Sequence, residues 1–241
     1  MPISRTIYTK SKVLIDDTEL LTKSFNLNNY QPLQQIEEYG NTNFYQVQSE
    51  SSSSSCELTC YPTGGTFGSF MQNLMTDTAS SNPDRSHILS NYGEMNNCLL
   101  SSLKLEAGVG NIPVASLSFI GAIGTGYISE VTPSSAAINT IKTTENILVN
   151  NSLCAQRLSL DWNIPVAPIV KYDENLNMPS GFFGNPIGVT TINIEGVEQA
   201  TSNLSSLSFA GIMIGLTDCK MIASGVNQAV GSIAASYNAS F

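Results

Sequence analysis

His87 is the residue on which any nucleophilic catalysis by this chain would depend. A Ser-His-Asp or Cys-His site needs an imidazole that accepts the proton of the nucleophile, and the 241 residues contain a single histidine. His87 lies within residues 78–97, which are polar and are predicted to form a loop, and no nucleophile-elbow pattern accompanies it. The sequence therefore predicts that the protein is not an enzyme.

The cysteines do not have the spacing of a metal site. Cys56 and Cys60 lie four residues apart, but no second pair of ligands with zinc-site spacing follows them. The other cysteines are Cys98, Cys154 and Cys219. Because their number is odd and their spacing irregular, we expect buried free thiols. No calcium-loop spacing occurs either, so the sequence predicts no bound metal.

Phosphate-binding and acid–base motifs are also missing. Residues 121–126 (GAIGTG) are glycine-rich, but they lack the lysine of a phosphate-binding loop and the strand-turn-helix setting of a dinucleotide site. They are predicted to form a flexible turn. The adjacent acids Asp16-Asp17 and Glu37-Glu38 are predicted to be solvated, because neighbouring side chains on a strand or loop point apart. We therefore expect no cofactor.

Charge argues against tight binding of nucleic acid. The net charge is −9, whereas a protein that grips DNA or RNA displaces counterions with Lys and Arg side chains. The arginines are Arg5, Arg85 and Arg157 alone. An acidic surface repels DNA, which suits a surface past which DNA must slide, although mild acidity is common among soluble proteins. Charge alone leaves both interpretations open.

The composition favours a protein that packs against copies of itself. Charged residues make up 12% of the chain, and uncharged polar and small residues take their place. Such side chains lose little conformational entropy when they are packed, and 41% hydrophobic residues can supply a sizeable core. No secretion signal opens the chain and no apolar stretch is long enough to span a bilayer, so we expect no membrane association.

The periodicity of apolar residues predicts a mainly β fold with one helix. Thr66 can cap a helix over about 66–76, and apolar residues recur on one face of it at Phe67, Phe70, Met71, Leu74 and Met75. Strands are predicted in residues 5–15, 56–61, 98–128, 144–170, 189–196, 204–216 and 219–241. Residues 25–48 are predicted as a loop with short strands, and 171–188 as a loop. About nine or ten strands give an antiparallel β-sandwich or barrel with one short flanking helix and long loops.

Two segments of the chain nearly repeat each other. Residues 109–119 (VGNIPVASLSF) and 230–241 (VGSIAASYNASF) both begin with Val-Gly and end with Ser-Phe. Both have the composition of strands. The chain is predicted to be a single β domain over 1–241 with an N-terminal arm and loop insertions. A weak internal duplication, 1–120 and 121–241, remains an alternative description of the same pattern.

Four segments resemble phage tail tube proteins, the major tail proteins of long-tailed phages. They are SSSCELTCYPTG (53–64), LLSSLKLEAGVGNIPVASLSFIG (99–121), RLSLDWNIPVAPI (157–169) and GFFGNPIGVTTINIEG (181–196). The first is similar to the strand and turn that precede the family's helix, and the second to its hairpin with a Gly-x-Ile-Pro strand. The last is similar to its later strands with a Gly-Pro-bearing loop.

The resemblance implies a structural virion protein. Its subunits would form hexameric rings, with one sheet of each completing a wide inner barrel, and the rings would stack into a tube. A duplicated chain would instead build a pseudo-sixfold ring from three chains. DNA would pass through without specific binding. The partners would be copies of the chain itself and other tail proteins: a sheath if the tail is contractile, the tape measure, the terminator and the baseplate. The protein would be assembled in the host cytoplasm and would reside in the virion tail.

Under this interpretation some acids face the lumen of the tube. The candidates are Glu106, Asp161, Glu195 and Glu198. Residues 1–15 and 34–50 would contact neighbouring subunits. Two alternatives stay open: another virion β-module, such as a capsid decoration or tail terminator protein, and an all-β enzyme or small-ligand binding domain. Self-assembly into stacked rings distinguishes the first interpretation from both alternatives.

Overall fold

A computed structural model describes most of the chain. The described residues are 11–30, 33–37, 44–48, 53–62, 67–79, 86–123, 126, 141–169, 181–184, 189–197, 204–215, 223–227 and 235–240. Their elements, in chain order, are β1 Ser11–Ile15, β2 Thr18–Tyr30, β3 Leu33–Glu37, β4 Phe44–Gln48, β5 Ser53–Tyr61, α1 Phe67–Ala79, β6 Ser86–Ser90, β7 Glu94–Gly108, β8 Val114–Ile123, β9 Ile147–Val149, β10 Leu153–Ala155, β11 Arg157–Asn163, β12 Val166–Ile169, β13 Gly181–Gly184, β14 Val189–Val197, β15 Ser206–Phe209, β16 Ile212–Gly215, β17 Ala223–Asn227 and β18 Ala235–Ser240. The predicted class, mainly β with one short helix, is confirmed.

Six strands close into an antiparallel barrel in the order β1-β2-β5-β8-β7-β6, with β6 pairing back to β1. Strict alternation explains the interior of this barrel, because successive side chains of a strand point to opposite faces. Cys56, Leu58 and Cys60 of β5 are buried, and the ladder sets them against Phe119, Leu117 and Ala115 of β8, which are also buried. Side chains fill the interior of so narrow a barrel.

The β7–β8 hairpin extends beyond the barrel and continues the sheet. The second half of β7 pairs with β11 from Gly108↔Arg157 to Ser102↔Asn163, and the order then runs β11-β14-β18-β17. We call this part, from the second half of β7 to β17, the sheet extension. On β11 the buried residues are Leu158, Leu160 and Trp162, alternating with exposed or half-buried polar side chains. The extension therefore has one apolar and one polar face.

A second sheet and the helix lie on the apolar face of the extension. The four-stranded sheet has the order β10-β9-β15-β16, and its buried Ile147, Leu207 and Phe209 belong to the same core cluster as Leu160. Helix α1 contacts β7 and β16. Its Gly68 lies so close to the backbone carbonyl of Met213 that a Cβ would clash with it. The helix is thus seated directly on a strand backbone.

The predicted helix and its apolar stripe are present. The helix runs over Phe67–Ala79, three residues further than the predicted end at 76. Phe67, Met71 and Leu74 are buried and Phe70 is half-buried, as one amphipathic face requires. Thr66, the predicted cap, lies outside the described residues, as does the side chain of Met75.

Several predicted loops are wrong. The described residues contain eighteen strands, roughly twice the expected number. Residues 78–97 include β6 and the start of β7, and residues 171–188 include β13, whereas residues 25–48 contain the short strands β3 and β4, as predicted, together with the end of the long β2. Gly121 lies within β8 and not in a turn. These strands are short or rich in Ser and Asn, which have low intrinsic strand propensity, so the pairing of neighbouring strands overrides composition.

Two other local predictions are confirmed, the end of β11 before a proline and the strand character of the near-repeat. Strand β11 ends at Asn163, just before Pro165, as proline's missing N–H requires. Both members of the near-repeat contain strands of the ten-stranded sheet, β8 and β18. Among the described residues, no helix combines the length and the apolar character that a bilayer crossing demands.

Candidate functional site: the polar face of the long sheet

One row of polar residues crosses six strands of the long sheet. Directly paired residues of neighbouring strands share a face, so the row can be read from the register: Thr191↔Asp161↔Lys104↔Ser116↔Thr59↔Ser24. All of these side chains are exposed or half-buried. We call the surface around this row the polar face. It is opposite the core on β14, β11 and β7 and becomes the outside of the barrel on β8, β5 and β2.

The polar face collects three of the four acids that were singled out in the sequence. Glu106, Asp161 and Glu195 lie on the adjacent strands β7, β11 and β14, and all are exposed. They share the face because Glu106 pairs with Ser159, two residues before Asp161, and Glu195 pairs with Arg157. Glu198 lies outside the described residues. Their common placement follows from strand pairing between segments about 50 and 90 residues apart in the chain.

Two cations accompany these acids. Lys104 Nζ lies 2.7 Å from Glu106 Oε1, and Arg157 Nη1 lies 3.9 Å from Glu195 Oε2. The hydrogen bond from Lys104 to Glu106, their mutual attraction and the nearby Asp161 carboxylate raise the pKa of Lys104. Exposed pairs of this kind contribute little to stability. Their consequence is electrostatic: the face is polar but only weakly acidic.

A cavity of about 410 Å³ lies where the polar face meets the β7–β8 turn. Glu106, Arg157, Asn193 and Glu195 line its polar side, and Ile112 lines its apolar side. The turn is held by backbone hydrogen bonds, from Val109 N to Gln156 O at 3.0 Å and from Gly110 N to Thr144 O at 2.8 Å. Val109 and Ile112 are 47% and 43% exposed on this turn. The fixed turn therefore presents apolar side chains beside a charged groove.

The barrel half of the polar face has a different chemistry. A cavity of about 310 Å³ opens there, lined by the hydroxyl or amide groups of Ser24, Asn26, Thr59, Ser116 and Ser118 and by one exposed carboxylate, that of Glu57. Thr59 Oγ1 and Ser116 Oγ lie 3.4 Å apart. Hydroxyl groups that satisfy one another across strands need no ligand, so this half offers a hydrated surface without concentrated charge.

His87 lies on strand β6, whereas the sequence analysis predicted that it would lie in a loop. It is exposed, and its Nε2 lies 2.7 Å from Glu94 Oε1. The other carboxylate oxygen of Glu94 accepts the backbone N–H of Gly126, and the backbone N–H of His87 donates to Asp16 Oδ1 at 2.7 Å. The Gly126 hydrogen bond, followed by the hydrogen bond and charge of His87, lowers the pKa of Glu94, although partial burial opposes the shift. We call these four residues the Glu94 cluster.

The Glu94 cluster contains no nucleophile. Among the described residues, the His87 imidazole contacts the carboxylate of Glu94 and not a serine or cysteine. The adjacent acids Asp16 and Asp17 are exposed, as predicted, but they also form the β1–β2 turn with φ of 48° and 64°. Asp16 thereby reaches β6. The sequence offered no signal for this cluster, because its members are far apart in the chain.

The thiols of the described residues are mostly buried, as expected, and Cys219 lies outside those residues. Cys56, Cys60 and Cys98 are buried and free, whereas Cys154 is exposed, contrary to the prediction. Burial raises the pKa of the Cys56 thiol and of the Cys60 thiol to about 12, and it also raises the pKa of Cys98. Thiols that stay protonated are poor nucleophiles and poor metal ligands. In the part of the chain that the structure describes, no group of His, Cys, Asp and Glu could hold a metal ion.

Comparison with known proteins adds no identity. No protein-family model matches the chain. A search of curated proteins finds no significant relative. The function must therefore be argued from the polar face itself.

Proposed function

We propose that this protein is a structural subunit that assembles with copies of itself into stacked rings, and that the stack is a phage tail tube through which the genome passes. The observation that carries the proposal is the gathering of Glu106, Asp161 and Glu195 on one broad polar face. The sequence resemblance supplies the family. The proposal includes no catalytic step and no cofactor.

The chemistry of the polar face suits a surface past which DNA slides. A concentrated positive patch would trap the phosphate backbone, and Lys104 and Arg157 are each close to a carboxylate. A strongly negative patch would raise a repulsive barrier along the whole path. Paired charges among hydroxyl and amide groups avoid both effects. In this proposal the polar face lines the lumen, and its low adhesion comes from pairing more than from net charge.

The opposite side of the sheet extension supports an outward role for α1. The helix and the four-stranded sheet cover the apolar face of the extension, so in a ring they would lie away from the lumen. Contacts with sheath, tape measure, terminator or baseplate proteins would use surfaces other than the polar face. Residence in the virion tail, after assembly in the host cytoplasm, belongs to the same proposal.

Negative-stain electron microscopy across a concentration series tests the assembly. Rings or tubes with a central channel are expected, and the images would give the symmetry directly, hexameric or trimeric. A dispersed monomer at high concentration would contradict the proposal. A compact trimer that does not stack would favour a capsid decoration protein instead.

Thiol labelling of the assembled tubes tests which face lines the lumen. Asp161→Cys places a thiol on the polar face, and Asn73→Cys places a matched control on the exposed surface of α1. Both changes are made in a Cys154→Ser background, because Cys154 is exposed. A maleimide on a bulky polymer should label both variants as dispersed subunits but only Asn73→Cys in tubes. Equal labelling of the two variants in tubes would remove the polar face from the lumen.

A further inference from the structure

Strand β6 is the least supported part of the barrel wall. It has five residues, of which three pair with β1. It also forms three pairs with β7, and this second ladder is interrupted by an irregularity between Ser86 and Ile88. By contrast, β5 and β8 share seven consecutive pairs. Because each ladder pair stabilises a strand cooperatively with its neighbours, opening of this barrel should begin where the ladders are shortest.

Hydrogen bonds of the Glu94 cluster reinforce the two short ladders, β6 with β1 and β6 with β7. Asp16 Oδ1 accepts the His87 backbone N–H at 2.7 Å, and Asp16 N donates to His87 O at 3.0 Å, which ties β6 to the β1–β2 turn. His87 Nε2 and Glu94 Oε1, 2.7 Å apart, tie β6 to β7. Glu94 also holds the Gly126 N–H, which lies beyond the end of β8.

The backbone of Gly126 lies close against the Glu94 carboxylate. A Cβ at Gly126 would lie 2.6 Å from Glu94 Oε2 and 3.1 Å from Glu94 Cδ, so a larger residue would displace the end of the Glu94 side chain. Hydrogen bonds to an ionised acceptor are roughly twice as strong as neutral ones, so the cluster is strongest while Glu94 is charged.

We call the junction of β6 with β1 and β7 the β6 seam, and the hydrogen bonds of the Glu94 cluster that hold it the clasp. We propose that the clasp is acid-sensitive: protonation of Glu94 releases Gly126 and His87, and the barrel opens at β6 while the sheet extension stays folded. The charged groups that face Glu94 are His87 from β6 and, through the His87 backbone, Asp16 from the β1–β2 turn. Asn96 is its polar neighbour on β7. The proposal is independent of the tail-tube function.

The direction of the pH effect follows from linkage. The pKa of Glu94 is lower in the folded protein than its ordinary value of 4.5. The clasp is therefore fully present above pH 4.5 and is lost as the pH falls through the lowered value. Acidification from pH 7 to pH 5 should therefore leave β6 closed, and β6 should open once the pH falls through the lowered pKa of Glu94, which lies below 4.5.

Amide hydrogen exchange on the full chain tests the clasp. The reporters are the backbone amides of His87 and Gly126, and the reference is the amide of Leu160 in the sheet extension. Protection factors, corrected for the intrinsic pH dependence of exchange, should fall about tenfold or more at both reporters as the pH falls from 4.5 through the lowered pKa of Glu94, while Leu160 keeps its protection. Simultaneous loss at all three amides would mean global acid unfolding and would overturn the proposal.

A variant provides the second arm. Glu94→Ala removes both acceptors and should reproduce at pH 7 the loss of protection that acid causes in the natural chain. The matched control is Glu106→Ala, which removes an exposed carboxylate with a lysine partner at the same 2.7 Å distance. Unchanged protection of His87 and Gly126 in Glu94→Ala would overturn the proposal. If that variant does not fold, the pH profile of the natural chain still decides the matter.

Discussion

The sheet extension and the β6 seam belong to one sheet but are held by different interactions. Strand β11 is paired on both sides over seven residues, and its inward side chains are buried in a common core with the second sheet. Strand β6 has short ladders and depends on a carboxylate that binds a histidine and a backbone N–H. The stability contributed by apolar burial varies little with pH, whereas the stability contributed by a hydrogen bond to an ionised carboxylate is lost when that carboxylate is protonated. Neighbouring parts of one sheet can therefore respond differently to the same change of conditions.

The largest loss of stability is expected from cavities made in the sheet extension and in the β6 seam. Leu160 of β11 and Ile88 of β6 are 2% and 1% exposed, so truncation removes a similar number of buried methyl groups. We expect Leu160→Ala to lower the free energy of unfolding by about 4 kcal/mol and Ile88→Ala by about 2 kcal/mol, because a short strand can relax into the space. Urea unfolding checks both values.

The control for this pair is Leu160→Met, which conserves volume and should cost less than about 1.5 kcal/mol. Equal costs for Leu160→Ala and Ile88→Ala would show that the seam is packed as rigidly as the extension. The proposed difference between the two regions would then be wrong.

A smaller loss of stability is expected at Gly121, which lies close to β7 in the barrel. An ideal Cβ at Gly121 of β8 would lie 2.7 Å from Cys98 Sγ and 3.0 Å from Asn96 O. We expect Gly121→Ala to destabilise the protein by about 1–3 kcal/mol through overpacking. A double-mutant cycle with Cys98→Ala, followed by thermal unfolding, should recover part of that cost. No recovery would mean that the backbone contact with Asn96 dominates.

The smallest effect concerns the two hairpin turns, one beside each region. Ala210-Gly211 joins β15 to β16 with φ of 48° and 80°, and Asp16-Asp17 joins β1 to β2. An alanine with positive φ is strained, so Ala210→Gly should stabilise the protein by about 0.5–1 kcal/mol. Asp17→Gly should act in the same direction, because both central residues of this turn type need positive φ. A lower melting temperature in Ala210→Gly would contradict this account.

Much of the fold could be predicted from local patterns. The stripe Phe67, Met71 and Leu74 indicated the helix, and alternation indicated strands at 56–61 and, within 144–170, from Leu158 onward. Strands without alternating large apolar residues were missed. Strand β6 contains two serines and a histidine among its five residues, and only its pairing with β1 and β7 makes it a strand.

The acids of the candidate site were singled out from the sequence as lumen-facing residues. Glu106, Asp161 and Glu195 share one face of the sheet, and their place in a lumen stays a prediction. Their cations Lys104 and Arg157 were not chosen, although each lies on one of the same strands and alternation puts it on the acids' side. The Glu94 cluster could not be predicted at all, because Asp16, His87 and Gly126 meet only when the barrel closes.

Periodicity and composition, which act over a few residues, were enough to predict the mainly β class, the helix at Phe67–Ala79 and the burial of most of the described thiols. They also showed that no familiar catalytic or metal-binding motif is present. Which strands are neighbours, how the barrel closes and which charges meet came from the tertiary fold. Those depend on register between distant segments, where a shift of one residue would turn every side chain of a strand to the opposite face.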